Sequence, residues 1–168
     1  LIQLDVDVLI VSPNEAEPIT PIVERAFNKG IPVIVLDRKT ASSLYTAYIG
    51  ADNYEIGKIA GQYVVSLLEG KGRILEIWGL KGSTPAIERH QGFQDVIDQY
   101  PELSIMAEVA GEWERDTAAN RITEVEGIPN IDLVYAHNDD MAYAAYEFFK
   151  KIGKDKDVKF IGVDGLAG

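Results

Sequence analysis

Seven short apolar runs, nearly all separated by a helical pattern, constrain this 168-residue chain more than any other feature. They are VDVLIVS (6–12), PVIVLD (32–37), TAYIG (46–50), RILEIW (73–78), SIMAEVA (104–110), DLVYAH (132–137) and VKFIGV (158–163). Several are apolar without alternation, as strands covered on both faces must be. Between them, Ile19, Ile22, Val23, Ala26 and Phe27 form a stripe of helical period ending at Gly30. A second stripe, from Ile56 through Ile59, Ala60, Tyr63, Val64 and Leu67 to Leu68, opens at Asp52 and Asn53 and closes at Gly70. A third helix is predicted from STP, with Thr84 as N-cap and Pro85 at N1, to about Tyr100. The fourth starts at Asp116. The fifth turns Met141, Ala144, Ala145, Phe148 and Ile152 to one face, with Asp139 and Asp140 at its positive end and Lys150, Lys151 and Lys154 near its negative end.

Alternating strand and helix predict an α/β fold, a doubly wound parallel sheet with right-handed crossovers. One connection departs from the rule. RKTASSLY, between the second and third runs, holds no helix, so the chain there moves to a sheet edge or leaves its lobe. Two lobes follow, with the boundary between Gly50 and Asn53.

Composition removes several classes of function. A chain that is 46% hydrophobic buries a real core, but no apolar run approaches the ~20 residues of a membrane-spanning helix. A net charge of −11 without a basic cluster argues against nucleic acid. No cysteine is present, so disulfides and thiolate metal sites are excluded. His90 and His137 lack metal-ligand spacing, and His90 beside Arg89 reads as a surface residue. EGKGR is not a P-loop, and Gly57 with Gly61 reads as close helix packing. The acids of NDDM could hold magnesium, but helix capping accounts for them more simply. No catalytic residue, metal or cofactor is expected.

In open parallel sheets ligands bind outside the carboxyl ends of the strands. Those ends carry Ser12, Pro13 and Asn14, then Asp37 and Arg38, then Glu112, Trp113 and Glu114, then His137, Asn138 and Asp139, and finally Asp164, with Arg89 one turn into the helix after the fourth strand. Singly, each has a structural explanation: Asn138 or Asp139 as N-cap, Asp164 as a turn residue, Arg89 on a solvated face, Trp113 in the core. Jointly, they suit a neutral polyol. A carboxylate accepts two hydroxyl protons, a guanidinium donates in parallel, an amide does both, and an indole covers the C–H face of a sugar.

IPVIVLDR, YIGADNYEIGKIAGQYV, ERHQGFQDVI, VYAHNDDMAYAAYEFFKKIGK and FIGVDG, in this order, resemble the type I periplasmic sugar-binding proteins of the ribose/galactose kind, whose fold the effector domains of LacI-type repressors share. The nearest likeness is to periplasmic sensor domains of hybrid two-component histidine kinases. The resemblance implies two lobes closing on a monosaccharide, with Asp37 and Arg38 as contacts from one lobe and Arg89, Trp113, Asn138 and Asp164 from the other. It implies a periplasmic, non-enzymatic domain whose partner is a histidine kinase portion of the same polypeptide or a transporter, with a homodimer in the sensor version. It also implies a segment incomplete at both ends, residues 1–52 being part of the N-terminal lobe and 53–168 most of the C-terminal lobe. Two other readings stand beside this: a LacI-type effector domain, and an enzyme built on Asp139 and Asp140.

Overall fold

The computed structural model of the chain describes residues 1–4, 6–126 and 128–166. Its elements run β1 (Leu9–Val11), α1 (Ala16–Asn28), β2 (Val33–Leu36), β3 (Ala47–Ile49), α2 (Asn53–Leu67), β4 (Lys71–Trp78), α3 (Thr84–Ile97), β5 (Glu102–Ala110), α4 (Arg115–Ile122), β6 (Leu133–Ala136), α5 (Asp139–Lys151) and β7 (Lys159–Ile161). Each of the seven apolar runs becomes a strand, and each helical pattern a helix. The strands form two sheets, β1-β2-β3 and β5-β4-β6-β7, in which every neighbouring pair is parallel.

Strand β4 explains why its run is apolar throughout. It lies between β5 and β6, so both its faces are covered. Ile74 packs with Phe93 and Ile97 of α3 and with Ala60 and Val64 of α2. Leu75 and Ile77, on the opposite face, meet Ala118, Ile122, Met141, Ala145 and Phe149 of α4 and α5. The smaller sheet has its own cluster of Val33 and Val35 against Val23 and Ala26 of α1. The helix-free link between β2 and β3 carries the chain to the sheet edge, where β3 pairs only with β2 among the described residues.

Two local expectations need correction. The N-cap of α3 is Ser83 rather than Thr84: Ser83 is extended, with φ −94° and ψ 142°, and its carbonyl accepts the first helical bond from the Ile87 N–H. Thr84 is thereby free to accept the Lys39 backbone N–H through Oγ1 at 2.8 Å, a bond between the smaller sheet's loops and α3. The apolar stripe of α2 is also wider than the face it buries, because Ile59 and Tyr63 stay 57% and 56% exposed. After Asn53 in its first turn, the buried face consists of small residues, Gly57, Ala60, Gly61 and Val64, which let α2 and α3 approach closely.

That approach is tight enough to fix the backbone of α3. A Cβ on Gly57 would lie 2.1 Å from the Arg89 carbonyl oxygen, so the packing that a side chain at residue 57 would break is the packing that holds Arg89 in place. Gly57→Ala is expected to cost about 1–3 kcal/mol through overpacking, lowering the melting temperature of the full-length protein by several degrees at roughly 2–4 °C per kcal/mol. An unchanged melting temperature would mean that the two helices can part without penalty.

Candidate functional site

The order of the larger sheet dictates where a crevice must open. From β4 the chain moves to one side for β5 and to the other for β6, so the loops leaving β4 and β6 diverge beyond their carboxyl ends. A cavity of about 220 Å³ lies there, lined by Asp37, Arg38, Pro85, Arg89, Trp113, Asn138 and Asp164. All six residues proposed from the sequence line it together with one further residue, Pro85. A larger cavity of about 700 Å³ lies elsewhere, beside β1 and α1, with Leu1, Ile2, Leu9, Ile10, Ile19 and Ile22 among its lining. The smaller one is where forked donors, carboxylates, an amide and an indole converge, and chemistry rather than size selects it.

The backbone is bent to deliver these side chains. Of five non-glycine residues with positive φ among the described residues, four belong to the loops at this crevice: Asp37 (62°), Glu112 (56°), Trp113 (70°) and Asp164 (106°). Such conformations cost of order 1–3 kcal/mol each and persist only where the surroundings enforce them. At Asp37 the Arg38 N–H bonds the Leu36 carbonyl at 2.7 Å, closing a three-residue turn. The Asp37 N–H donates to Ile49, and its carbonyl accepts the Tyr48 hydroxyl at 2.7 Å. At Trp113 the Glu114 N–H bonds the Gly111 carbonyl at 2.9 Å, making a tight turn with both central residues left-handed. The indole then lies over Gly79, where a Cβ would come within 2.2 Å of the ring.

Arg89 is the most constrained of the set, only 9% exposed rather than on a solvated face. Its Nε donates to Asn53 Oδ1 at 3.0 Å, its Nη1 to the His137 carbonyl, and its Nη2 lies 4.0 Å from Asp164 Oδ1. Burial pulls its pKa below the ordinary value, and the same burial pushes Asp164 up, where Asp139, Asp37 and Asp140 add repulsion against the pull of Arg89. Arg38 is held by Asn14, whose backbone and side-chain oxygens accept from Nη1 at 2.9 and 2.8 Å. Both guanidinium carbons sit 5.6 Å from the Trp113 ring centroid, within cation–π range. Asn138 caps α5, accepting the Met141 N–H at 3.0 Å and donating to the Trp113 carbonyl at 3.2 Å. Asp37 faces the crevice with its side chain 71% exposed, 3.8 Å from Arg38. Two cationic and two anionic groups thus balance in one small space.

Beneath this layer lies a group that the sequence reading did not single out. Glu76, fully buried in the middle of β4, accepts from His137 Nε2 at 2.9 Å and contacts His90 Nδ1 at 2.9 Å. His90 is therefore a partner of a buried acid and not a surface residue. The available signal was a lone acid in RILEIW, since a carboxylate on a doubly covered strand demands partners. Among the described residues, Glu76, His90 and Glu108 form the one group of three with metal-capable atoms, all within 4.8 Å. Glu76 is already satisfied by the two imidazoles, and Lys81 lies 3.9 Å from Glu108, so the charges are answered without a metal. The acids of NDDM are likewise engaged: Asp139 accepts the Leu166 N–H at 2.7 Å, and Asp140 pairs with Arg115.

Comparison with known proteins places this geometry in a family. A periplasmic binding protein domain matches residues 1–168. The ribose import binding protein RbsB of Bacillus subtilis is 31% identical over 98% of this chain and 53% of its own length. A xylitol-binding protein of Mycolicibacterium smegmatis is 32% identical over 99% of the chain and 48% of its length. Among solved structures, the fructose binding periplasmic domain of the hybrid two component system BT1754 superposes with a TM-score of 0.94 at 51% identity, covering 99% of this chain and 56% of that one. The chain belongs to the periplasmic binding protein family, whose members here are binding proteins rather than enzymes. It spans about half the length of the curated relatives it matches. No helix among the described residues is long and apolar enough to cross a membrane.

The buried acid gives a pH signature. Burial alone would raise Glu76, but hydrogen bonds and charge from His137 and His90 hold it below its usual range. Burial pulls His90 down, yet Glu76 outweighs it and keeps His90 above its ordinary value, with Glu108 adding to the pull and Lys81 opposing. Burial depresses His137. A histidine with a raised folded pKa contributes stability that is complete below its unfolded pKa of about 6.5 and lost as pH rises through the folded value. The melting-temperature gap between the wild type and His90→Gln is therefore expected to be widest near pH 6 and to shrink toward pH 9. A gap that stays constant across this range, measured by calorimetry, would show that His90 carries no charge in the fold.

Proposed function

We propose that this chain supplies most of a monosaccharide-binding cleft, and that its full-length protein reports the sugar by closing two lobes upon it in the periplasm. Residues 1–52 would belong to one lobe and contribute Asp37 and Arg38; residues 53–168 would belong to the other and contribute Arg89, Trp113, Asn138 and Asp164. The observation that carries this reading is the charge balance of the crevice: two guanidiniums and two carboxylates surround an indole face in about 220 Å³. Such a site offers both acceptors and donors to hydroxyls, and its formal charges balance, so it has no strong attraction for an ion. Charge-assisted bonds of about 1.5–3 kcal/mol each can sum to the roughly −8 kcal/mol of micromolar affinity.

Fructose is the favoured sugar and a sensor of a hybrid two-component system the favoured role, on the 51% identity with the fructose binding periplasmic domain. Closure in a dimer would then change the spacing of helices that cross the membrane. A role in import is the second reading, supported by the 31% identity with a ribose import binding protein. A LacI-type effector role finds no support in the relatives named above. The smaller sheet already touches the larger half: Lys39 Nζ pairs with Glu88 at 2.7 Å, and the Ala16 N–H donates to the Gly82 carbonyl at 3.1 Å. These contacts are of the kind that a closed state would gain and an open one lose.

A thermal-shift screen of the full-length protein against D-fructose, D-ribose, L-arabinose, D-galactose and xylitol tests the reading, since a ligand bound by the folded state raises the melting temperature by mass action. One monosaccharide is expected to give a clear shift. Asp37→Ala and Arg89→Ala should each weaken its binding by about ten- to a hundredfold, the loss of one charge-assisted bond. Asp37 supports no core packing, its side chain being 71% exposed, but alanine tolerates its φ of 62° less well than aspartate, so Asp37→Ala should also lower the unliganded melting temperature by a few degrees. No shift with any sugar, or equal shifts in wild type and both variants, would remove the proposed site.

A further inference from the structure

The buried Glu76 carboxylate is connected to the crevice by a short route. It stands on β4, paired in register with Glu108 on β5 and Tyr135 on β6, and its side chain lies on the face covered by α3. From there it grips one side chain on α3 and one at the end of β6. His137 Nε2 lies 2.9 Å from Oε1, and His90 Nδ1 lies 2.9 Å from Oε2. The tautomer of His137 follows from its other nitrogen. Nδ1 accepts the Gly79 N–H at 3.3 Å, so the ring proton sits on Nε2 and is donated to Glu76.

Each end of this clasp is attached to a crevice residue. The His137 carbonyl accepts Arg89 Nη1, and the next residue, Asn138, caps α5 and holds the Trp113 carbonyl. His90 follows Arg89 directly on α3. Gly79, whose N–H is committed to His137, is the surface on which the Trp113 ring rests. The imidazoles are packed by aromatic rings, Trp78 with its centroid 4.1 Å from His90 and Tyr135 5.3 Å from His137. Once desolvation is counted, a buried ion pair is weak evidence for net stability, so what Glu76 holds in place is its more telling property.

We propose that Glu76 is a positioning residue for the crevice, tying His90 and His137 together so that Arg89 and the Trp113 ring are held in one orientation before a ligand arrives. Glu76 itself does not line the cavity and acts only through its two histidines. The inference rests on the sugar-binding reading for its consequence, affinity, but not for its geometry. Preorganised side chains lose less freedom on binding, so the clasp acts by lowering that cost.

The test uses the full-length protein and two measurements. Without ligand, nitrogen–proton NMR follows Arg89 Nε–H and the Trp113 indole N–H. In Glu76→Gln, whose amide can still accept from one histidine and donate to the other, both signals are expected to shift and broaden, while Glu102→Gln, an exposed change on β5, leaves them as in wild type. With D-fructose as probe, Glu76→Gln is expected to bind about tenfold more weakly, and a double-mutant cycle with Arg89→Ala to show coupling rather than additivity. His137→Gln, which keeps a donor toward Glu76, should recover part of the loss seen in His137→Ala. Unchanged Arg89 and Trp113 signals in Glu76→Gln would overturn the inference whatever the sugar does. Additive effects on affinity, with binding present, would also overturn it. If no sugar binds the wild type, the functional reading falls, and the ligand-free spectra still decide the positioning role.

Discussion

Everything at the crevice depends on a guanidinium kept out of water. Arg89 gives up most of its hydration, and the structure answers with fixed acceptors, Asn53 on one edge and the His137 carbonyl on another, while Asp164 supplies a countercharge at 4.0 Å. A buried cation left without partners would be strongly destabilising, so α2, β6 and the loop after β7 are all drawn to this one side chain. Arginine suits the place because its rigid fork keeps charge and donors aligned even when burial lowers its pKa. The glycine face of α2 is the other half of the arrangement, because it lets the backbone of Arg89 come close enough for Asn53 to reach it.

Strand ends do the assembling. Parallel strands send their carboxyl ends to one side, so residues as distant in sequence as Asp37 and Asp164 meet without any local signal joining them. The left-handed residues at the crevice are part of the same logic. A side chain on a regular strand would point into the sheet's faces, whereas a turn with positive φ lifts Asp37, Trp113 and Asp164 over the edge. Strain of this kind is stable where neighbouring bonds over-determine it, as the Tyr48 hydroxyl and the Ile49 carbonyl do at Asp37.

Much of this was legible in the amino-acid sequence, and the parts that were not have physical reasons. Continuous apolar runs on covered strands and stripes on helices are strong signals, which is why β4 and α5 could be read directly. The polar residues at strand ends were readable because parallel topology leaves them only one place to gather. Burial was harder. Arg89 looks like any helix-surface arginine until the glycines of α2 bring a neighbour over it, and His90 looks exposed until the acid in β4 is seen to need a partner. The cap of α3 was readable only to within a residue, because Ser83 and Thr84 are both capable caps and the Thr84 hydroxyl instead accepts the N–H of Lys39, distant in sequence. The exposed half of the α2 stripe shows the converse limit, since periodicity marks an apolar face but not how much of it is covered.

The central claim is that these strand-end groups act together on a neutral, hydroxyl-rich ligand. Its most direct test is a crystal structure of the full-length domain grown with the monosaccharide that stabilises it most. The account predicts a ring over the Trp113 indole, with hydroxyls within about 3 Å of Arg89, Asp37 and Asp164. A sugar seated away from these side chains, with Arg89 and Asp164 touching only protein or solvent, would contradict it.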